Sequence, residues 1–345
     1  MKMGWVLSID EIQAALDSGQ KLDFSRHPLQ VPELTLCERF FPLGFAVELR
    51  TNSEAILSQA RELWSRFEPL FNNRPIRVDV HVVDGGDADP SGQCPPAPVP
   101  HMMMPLIYNI ADANNYIVAD LDEGCTRIVM ARATEQHRNY VNYFFLDSAP
   151  LAHIAFRLAT PIHAGCVAFK GRGMLLSGDS GAGKSSLSYA CARAGWTYTT
   201  DDGSYLLHDD INITVTGNCH QVRVRPSAGQ LFEEIEGLEI TPRAAGKPSI
   251  EMPTSTLSRM NCAPTASVDY LIFLNRRAGG PQDLAPFRKD VARWYLRQLL
   301  FGTPESLAMH YRSIERLLHT EALELRYTDL DWAVQRLQTL AEEGR

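Results

Sequence analysis

Gly178-Asp179-Ser180-Gly181-Ala182-Gly183-Lys184-Ser185 constrains this chain more than any other stretch, because it fits the phosphate-cradling pattern G-x-x-x-x-G-K-[ST]. Its glycines let successive backbone N–H groups curl around an anionic phosphate chain. Lys184 can then reach the β- and γ-phosphates, and the Ser185 hydroxyl suits Mg²⁺. The flanks agree with that reading. Gly173-Met174-Leu175-Leu176-Ser177 reads as a buried strand, and 187–194 as a short helix closed by Gly195. A strand, a glycine loop and a helix N-terminus together form an anion site, since orphan N–H groups and the helix dipole face the phosphate. The candidate nucleotide contacts are therefore Gly178, Asp179, Ser180, Gly181, Ala182, Gly183, Lys184, Ser185 and Ser186. The competing reading is a Gly/Ser surface turn with an incidental lysine.

The rest of the chain limits what this loop can serve. A length of 345 residues suggests about two domains. Apolar runs fall far short of a membrane span, and the first eleven residues are too acidic for a secretion signal, so a cytoplasmic protein without a membrane partner is expected. Seven scattered cysteines, none in C-x-x-C spacing, argue for reduced thiols and against a zinc site or disulfide framework. A net charge of −8 leaves no electrostatic footprint for nucleic acid. A homo-oligomer is compatible with everything above.

Residues 1–150 read as an α+β module suited to substrate or partner recognition. It contains a strand at 45–49, a helix capped by Ser53, an alternating strand at 76–83 and three further strand candidates between 106 and 132. Asp84 to Pro105, rich in Gly, Asp and Pro, reads as a mobile loop or linker with no capacity for a ladder. Met102-Met103-Met104 reads as core or linker, with a partner surface as the alternative. Residues 151–345 read as an α/β phosphate-loop domain with a mixed sheet and a helical C-terminal part. A strand over 162–169 and the loop's own strand flank Lys170-Gly171-Arg172, a tight hairpin, so this pair must be antiparallel. That departs from the strand–helix alternation of common phosphate-loop proteins.

Asp201-Asp202 ends the short strand 196–200, only 17 and 18 residues after Lys184. One helix and one strand return the chain toward the loop, which puts two acids near a terminal phosphate. One carboxylate, Asp201, can hold Mg²⁺ with Ser185; the other, Asp202, can accept a proton from an attacking hydroxyl. A solvated acidic turn is the alternative. His163 lies 21 residues before Lys184, where a proton relay or phosphate contact competes with a hydrogen-bonded core histidine.

These spaced features, Ile162-His163-Ala164-Gly165, the hairpin, Ser177 through Ser185 and Gly195 with Asp201-Asp202, resemble the catalytic domain of HPr kinase/phosphorylase. That resemblance covers Pro161 to Tyr205. It implies a fold related to phosphoenolpyruvate carboxykinase, with ATP and Mg²⁺ as cofactors. His163 and Asp202 match the family's histidine and proton-accepting aspartate in spacing. The family's later signature has an echo in Glu234-Ile235-Glu236-Gly237-Leu238-Glu239, which would make Glu234 a Mg²⁺ ligand. A solvated acidic helix competes with that. Arg223 and Arg225 are candidates for a phosphate clamp. Residues 1–150 show no match to the family's N-terminal domain. Related kinases act on other hydroxyls, including the C-terminal serine of lasso-peptide precursors and free serine.

The expectation is an ATP-dependent kinase that transfers the γ-phosphoryl group to a hydroxyl of a peptide, protein or small molecule. Lys184, Asp202 and His163 are its catalytic residues. The alternatives are a nucleotide-binding regulatory module without phosphotransfer, and a carboxykinase-like enzyme.

Overall fold

The structure, a computed structural model, describes residues 32–84, 93–208, 211–257 and 260–344, together with positions 14, 17 and 18. The expectation for the first eleven residues, and the 85–92 part of the expected mobile loop, lie outside the described residues. The fold is α/β, with parallel strands in two mixed sheets.

Seven strands build the first sheet: β1 (Leu36–Phe40), β2 (Val47–Thr51), β3 (Ile76–Val83), β4 (Val99–Met103), β5 (Leu106–Asp112), β6 (Asn115–Asp120) and β7 (Cys125–Ala131). Their order is β1-β2-β3-β7-β6-β5-β4. Helix α1 (Glu54–Trp64) starts where Ser53 Oγ accepts from Ile56 N, and its buried face carries Ile56, Leu57, Ala60 and Trp64. A helical run over 138–158, designated α2, packs Tyr140, Val141, Phe145, Leu146 and Ile154 into the same core. Strand β4 corrects the expectation that 84–105 holds no ladder. It pairs antiparallel with β5, and it is an edge strand, where Pro100 costs no interior ladder bond.

The second sheet carries the phosphate loop. It uses β9 (Ala164–Phe169), β10 (Arg172–Ser177), β11 (Thr197–Thr200), β16 (Asn261–Cys262), β18 (Tyr270–Arg276), β19 (Asp283–Pro286) and β20 (Glu321–Tyr327), in the order β16-β11-β9-β10-β18-β20-β19. Between them run β8 (Ala159–Ile162), β12 (Ser204–Leu207), β13 (Thr214–Gly217) and β17 (Thr265–Ser267), which form a smaller sheet. Strands β14 (Gln221–Val224) and β15 (Ile250–Pro253) pair separately. The helices are α3 (Lys184–Arg193), α4 (Lys289–Arg297), α5 (Pro304–Leu317) and α6 (Leu330–Glu343).

The β9–β10 turn is the expected tight hairpin. Lys170 and Gly171 both take positive φ (49° and 81°), the two-residue geometry that matches strand twist. Strand β11 is antiparallel to β9, and β9 is antiparallel to β10. Two reversals make β11 parallel to β10, so both strands end at the same sheet edge. Strands β18 and β20 also run parallel to β10 and end there. Buried Leu187, Cys191, Met174, Leu176, Ile272 and Leu325 fasten α3 onto one face of this sheet.

Strand β10 runs close against the segment that leads into β18. Gly173 N donates to Asp269 Oδ2 at 2.9 Å, and a Cβ on Gly173 would stand 1.7 Å from the Ser267 carbonyl oxygen. Gly173→Ala is expected to lower stability by about 2–4 kcal/mol. Gly279→Ala, where a Cβ meets nothing within 4 Å, should stay within about 0.5 kcal/mol of the parent. Denaturant unfolding of the two variants checks this.

Candidate functional site

The sheet edge at the end of β10 collects the predicted residues. The loop leaves Ser177, turns at Gly178, Gly181 and Gly183 (φ 151°, 95° and 99°) and enters α3 at Lys184. Gly183 is required twice over. Its φ favours glycine, and a Cβ there would lie 2.4 Å from Tyr327 Oη. That phenol donates to the Ala182 carbonyl at 3.0 Å and so fastens the loop to the end of β20. The first turn of α3 leaves its N–H groups without intrahelical partners, pointing toward the loop.

Lys184 is buried beneath its own loop. Its Nζ donates to the Gly178 carbonyl at 2.7 Å and lies 3.3 Å from the Asp179 carbonyl. Burial pushes the ammonium's pKa down, while Asp202 and Asp179 oppose the shift. These carbonyls are neutral acceptors, and a phosphate oxygen would replace them with a charge-assisted bond.

Asp201 and Asp202 follow β11 and meet the loop from the other side of β9. Asp201 is buried and Asp202 is exposed. The Asp201 carboxyl is pushed up to about 6 by burial, partly offset by the Ser185 hydroxyl and Tyr198. Tyr198 has one phenolic proton but two acceptors in range, Asp201 Oδ1 at 2.9 Å and the Gln221 carbonyl at 2.8 Å. Asp201 Oδ2 has no hydrogen-bond partner. A buried carboxylate oxygen without a partner, facing a serine hydroxyl, is a hard oxygen pair that fits Mg²⁺. Among the described residues there is no cluster of three or more His, Cys, Asp or Glu ligands, so the remaining positions would fall to phosphate and water.

His163 occupies the single residue between β8 and β9, which belong to different sheets. The sequence reading ran one strand through it; the chain instead breaks there, because 159–162 pairs with β12. The break leaves His163 at the loop's edge of the sheet, with Nδ1 3.3 Å from Asp202 Oδ1. Burial lowers its pKa; Asp202 opposes that and Lys184 adds to it.

Glu234 is not brought to this edge. Its carboxylate accepts from Tyr189 Oη at 2.8 Å and pairs with Arg193 Nε at 2.8 Å, both in the C-terminal half of α3. The resemblance of a six-residue string misplaced it. Arg223 faces Asp201 but is held by Glu251 at 2.9 Å; Arg225 is exposed just beyond β14.

Four residues at the loop were not legible in sequence. Lys247 Nζ donates to Ser180 Oγ at 3.0 Å, and Tyr295 on α4 stands beside the Asp179 carboxylate. Arg276 and Tyr327 end neighbouring strands in register, with the Arg276 stem packed near Gly183. Each comes from a segment more than 60 residues beyond the loop, so no local spacing marks it. A cavity of about 400 Å³ opens beside Asp202, between this edge and the first core.

Asp201 also sets a pH dependence. Its folded pKa exceeds its unfolded value, so the folded chain holds more protons between about pH 4 and pH 6, and stability falls as pH rises through that window. Asp201→Asn is expected to raise stability at pH 7.5 by about 1–2 kcal/mol and to flatten the profile across the window. Thermal melts from pH 4 to pH 8 check it; a lower melting temperature at pH 7.5 contradicts it.

No protein-family model and no curated protein matches this chain. Among solved structures, it is similar to the HPr(Ser) kinase/phosphatase from Coxiella burnetii. The likeness has 13% identity and a TM-score of 0.31, over 54% of this chain and 99% of that one. Function is therefore argued from the site itself.

Proposed function

We propose that the protein is an ATP-dependent kinase that transfers a γ-phosphoryl group to a hydroxyl. The observation that carries this reading is the meeting of three elements at one sheet edge. They are a glycine loop with a buried lysine, a buried carboxylate beside the loop serine, and an exposed carboxylate paired with a histidine. A site that only senses nucleotide has use for the first two and none for the third.

In this reading the backbone from Asp179 to Ser186 cradles the β-phosphate at the start of α3. Lys184 leaves the Gly178 carbonyl for phosphate oxygens, and Lys247 and Arg276 stand at the loop to balance charge on the nucleotide. Ser185 and Asp201 would hold Mg²⁺, which when bound neutralises charge between the β- and γ-phosphates.

Asp202 orients the acceptor hydroxyl and takes its proton as the oxygen attacks the γ-phosphorus. The bond from that phosphorus to the β,γ-bridging oxygen breaks, and ADP leaves with the electron pair. His163, with Nδ1 3.3 Å from Asp202, can receive the proton from that carboxyl afterwards. Positioning and charge neutralisation supply most of the rate.

Two variants separate the roles. Asp202→Asn should bind ATP within about threefold of the parent and lose about 10²–10⁴-fold in kcat. Lys184→Ala should weaken ATP binding as well as transfer, by about tenfold or more. Transfer of labelled phosphate from ATP and calorimetric ATP titration measure both. An Asp202→Asn protein that transfers phosphate like the parent overturns the assignment.

A further inference from the structure

Between Ile235 and Ile250, both buried in the core under α3, the chain crosses over to the first core and returns. The base of this excursion is pinned. Thr241 N donates to the Ser249 carbonyl at 2.9 Å, and Glu251 N donates to Thr241 Oγ1 at 2.9 Å. From Pro242 to Pro248, no hydrogen bond joins the main chain to other main chain among the described residues. The two prolines bring no N–H, and Gly246 turns the segment with a φ of 95°. A segment tied at its base and unbonded along its length opens at little free-energy cost.

This short span touches three parts of the site. Lys247 Nζ donates to Ser180 Oγ in the phosphate loop at 3.0 Å. Ala244 packs against the first core, and the Arg243 guanidinium lies over the Tyr143 ring of α2 at 5.6 Å. Arg243 also pairs at 3.2 Å with Glu251, the carboxylate that holds Arg223 at 2.9 Å. Pro242, Arg243 and Ala244 line the cavity beside Asp202. Of these contacts the lysine's is the easiest to exchange. Lys247 is exposed and its partner is a neutral hydroxyl, whereas Arg243 and Ala244 are half-buried. A phosphate oxygen offers Lys247 a charge-assisted bond about twice as strong as one to a neutral acceptor. That difference favours whichever position of the span brings the lysine to phosphate.

We propose that residues 242–248 form a strap that closes on a phosphate chain held at the loop. Lys247 passes from Ser180 to phosphate, and the Thr241–Ser249 base serves as the hinge. Arg243 and Ala244 carry the closure to the first core and to the cavity wall. Occupation of the loop is thereby felt in the cavity beside Asp202 through one segment of chain. That the phosphate belongs to ATP rests on the kinase reading; the closure itself rests only on phosphate at the loop.

Trypsin reads the strap on the full chain. The Arg243–Ala244 bond is cleavable when the strap is open, whereas Lys247–Pro248 resists because proline follows. Cleavage at Arg243, followed by mass spectrometry, should slow about fivefold or more with Mg²⁺ and a saturating non-hydrolysable ATP analogue. Inorganic tripolyphosphate with Mg²⁺ should protect the bond as well. Lys247→Ala, at an exposed position, should melt like the parent and lose the protection even at saturating analogue. Lys247→Arg should keep it, since the new Arg–Pro bond is equally resistant. The proposal is overturned if calorimetry shows the analogue bound while the parent's cleavage is unchanged, or if Lys247→Ala is protected as well as the parent. Protection by tripolyphosphate without binding of the analogue would uphold the strap and count against the kinase reading. If neither compound binds, both readings fall.

Discussion

The pairing of β9 with β10 is the constraint on which the rest of the site depends. Six residue pairs from Arg172↔Phe169 to Ser177↔Ala164 lock the two strands antiparallel, and the Lys170-Gly171 turn sets their register. This reversal carries the start of β9, and so His163, to the end of β10 where the loop begins. The second reversal, from β9 to β11, brings Asp201 and Asp202 to the same end. Cys166 and Val167 point to opposite faces of the sheet and each is buried in a different core, so packing on both faces fits this register.

Within that frame, the site stores an unfavourable electrostatic arrangement. Asp201 is buried with one oxygen unpartnered, and Lys184 is buried against neutral carbonyls. Both groups have lost water without gaining a full ionic partner, which costs stability in the unliganded protein. In the proposed function, a bound phosphate and a hard cation would supply the missing partners.

Much of this was legible because it is local or counted along the chain. The loop, its strand and its helix lie within about twenty residues, and the shortness of the Lys170-Gly171 connection forces antiparallel pairing. The spacings of His163 and Asp202 to Lys184 then point to one edge. What was missed depends on distant pairing. The break at His163 arises because Ala159–Ile162 joins Ser204–Leu207, a partner that 159–169 does not reveal. Lys247, Arg276, Tyr295 and Tyr327 reach the loop through strands and helices placed by the sheet order. Pro100 argued against a ladder, but an edge position tolerates it. Glu234 shows the opposite case: a matching string suggested a metal ligand, and the structure instead engages its carboxylate with Tyr189 and Arg193.

The central claim is that one sheet edge is built to place a nucleotide's terminal phosphate between Lys184 and Asp202. A crystal structure of the protein with Mg²⁺ and a non-hydrolysable ATP analogue tests it most directly. The account predicts the β-phosphate against the Gly181–Ser185 amides, Lys184 Nζ moved from the Gly178 carbonyl onto phosphate, and the γ-phosphate facing the Asp202 carboxylate. A nucleotide bound elsewhere, or one bound at the loop with its γ-phosphate directed away from Asp202, would contradict it.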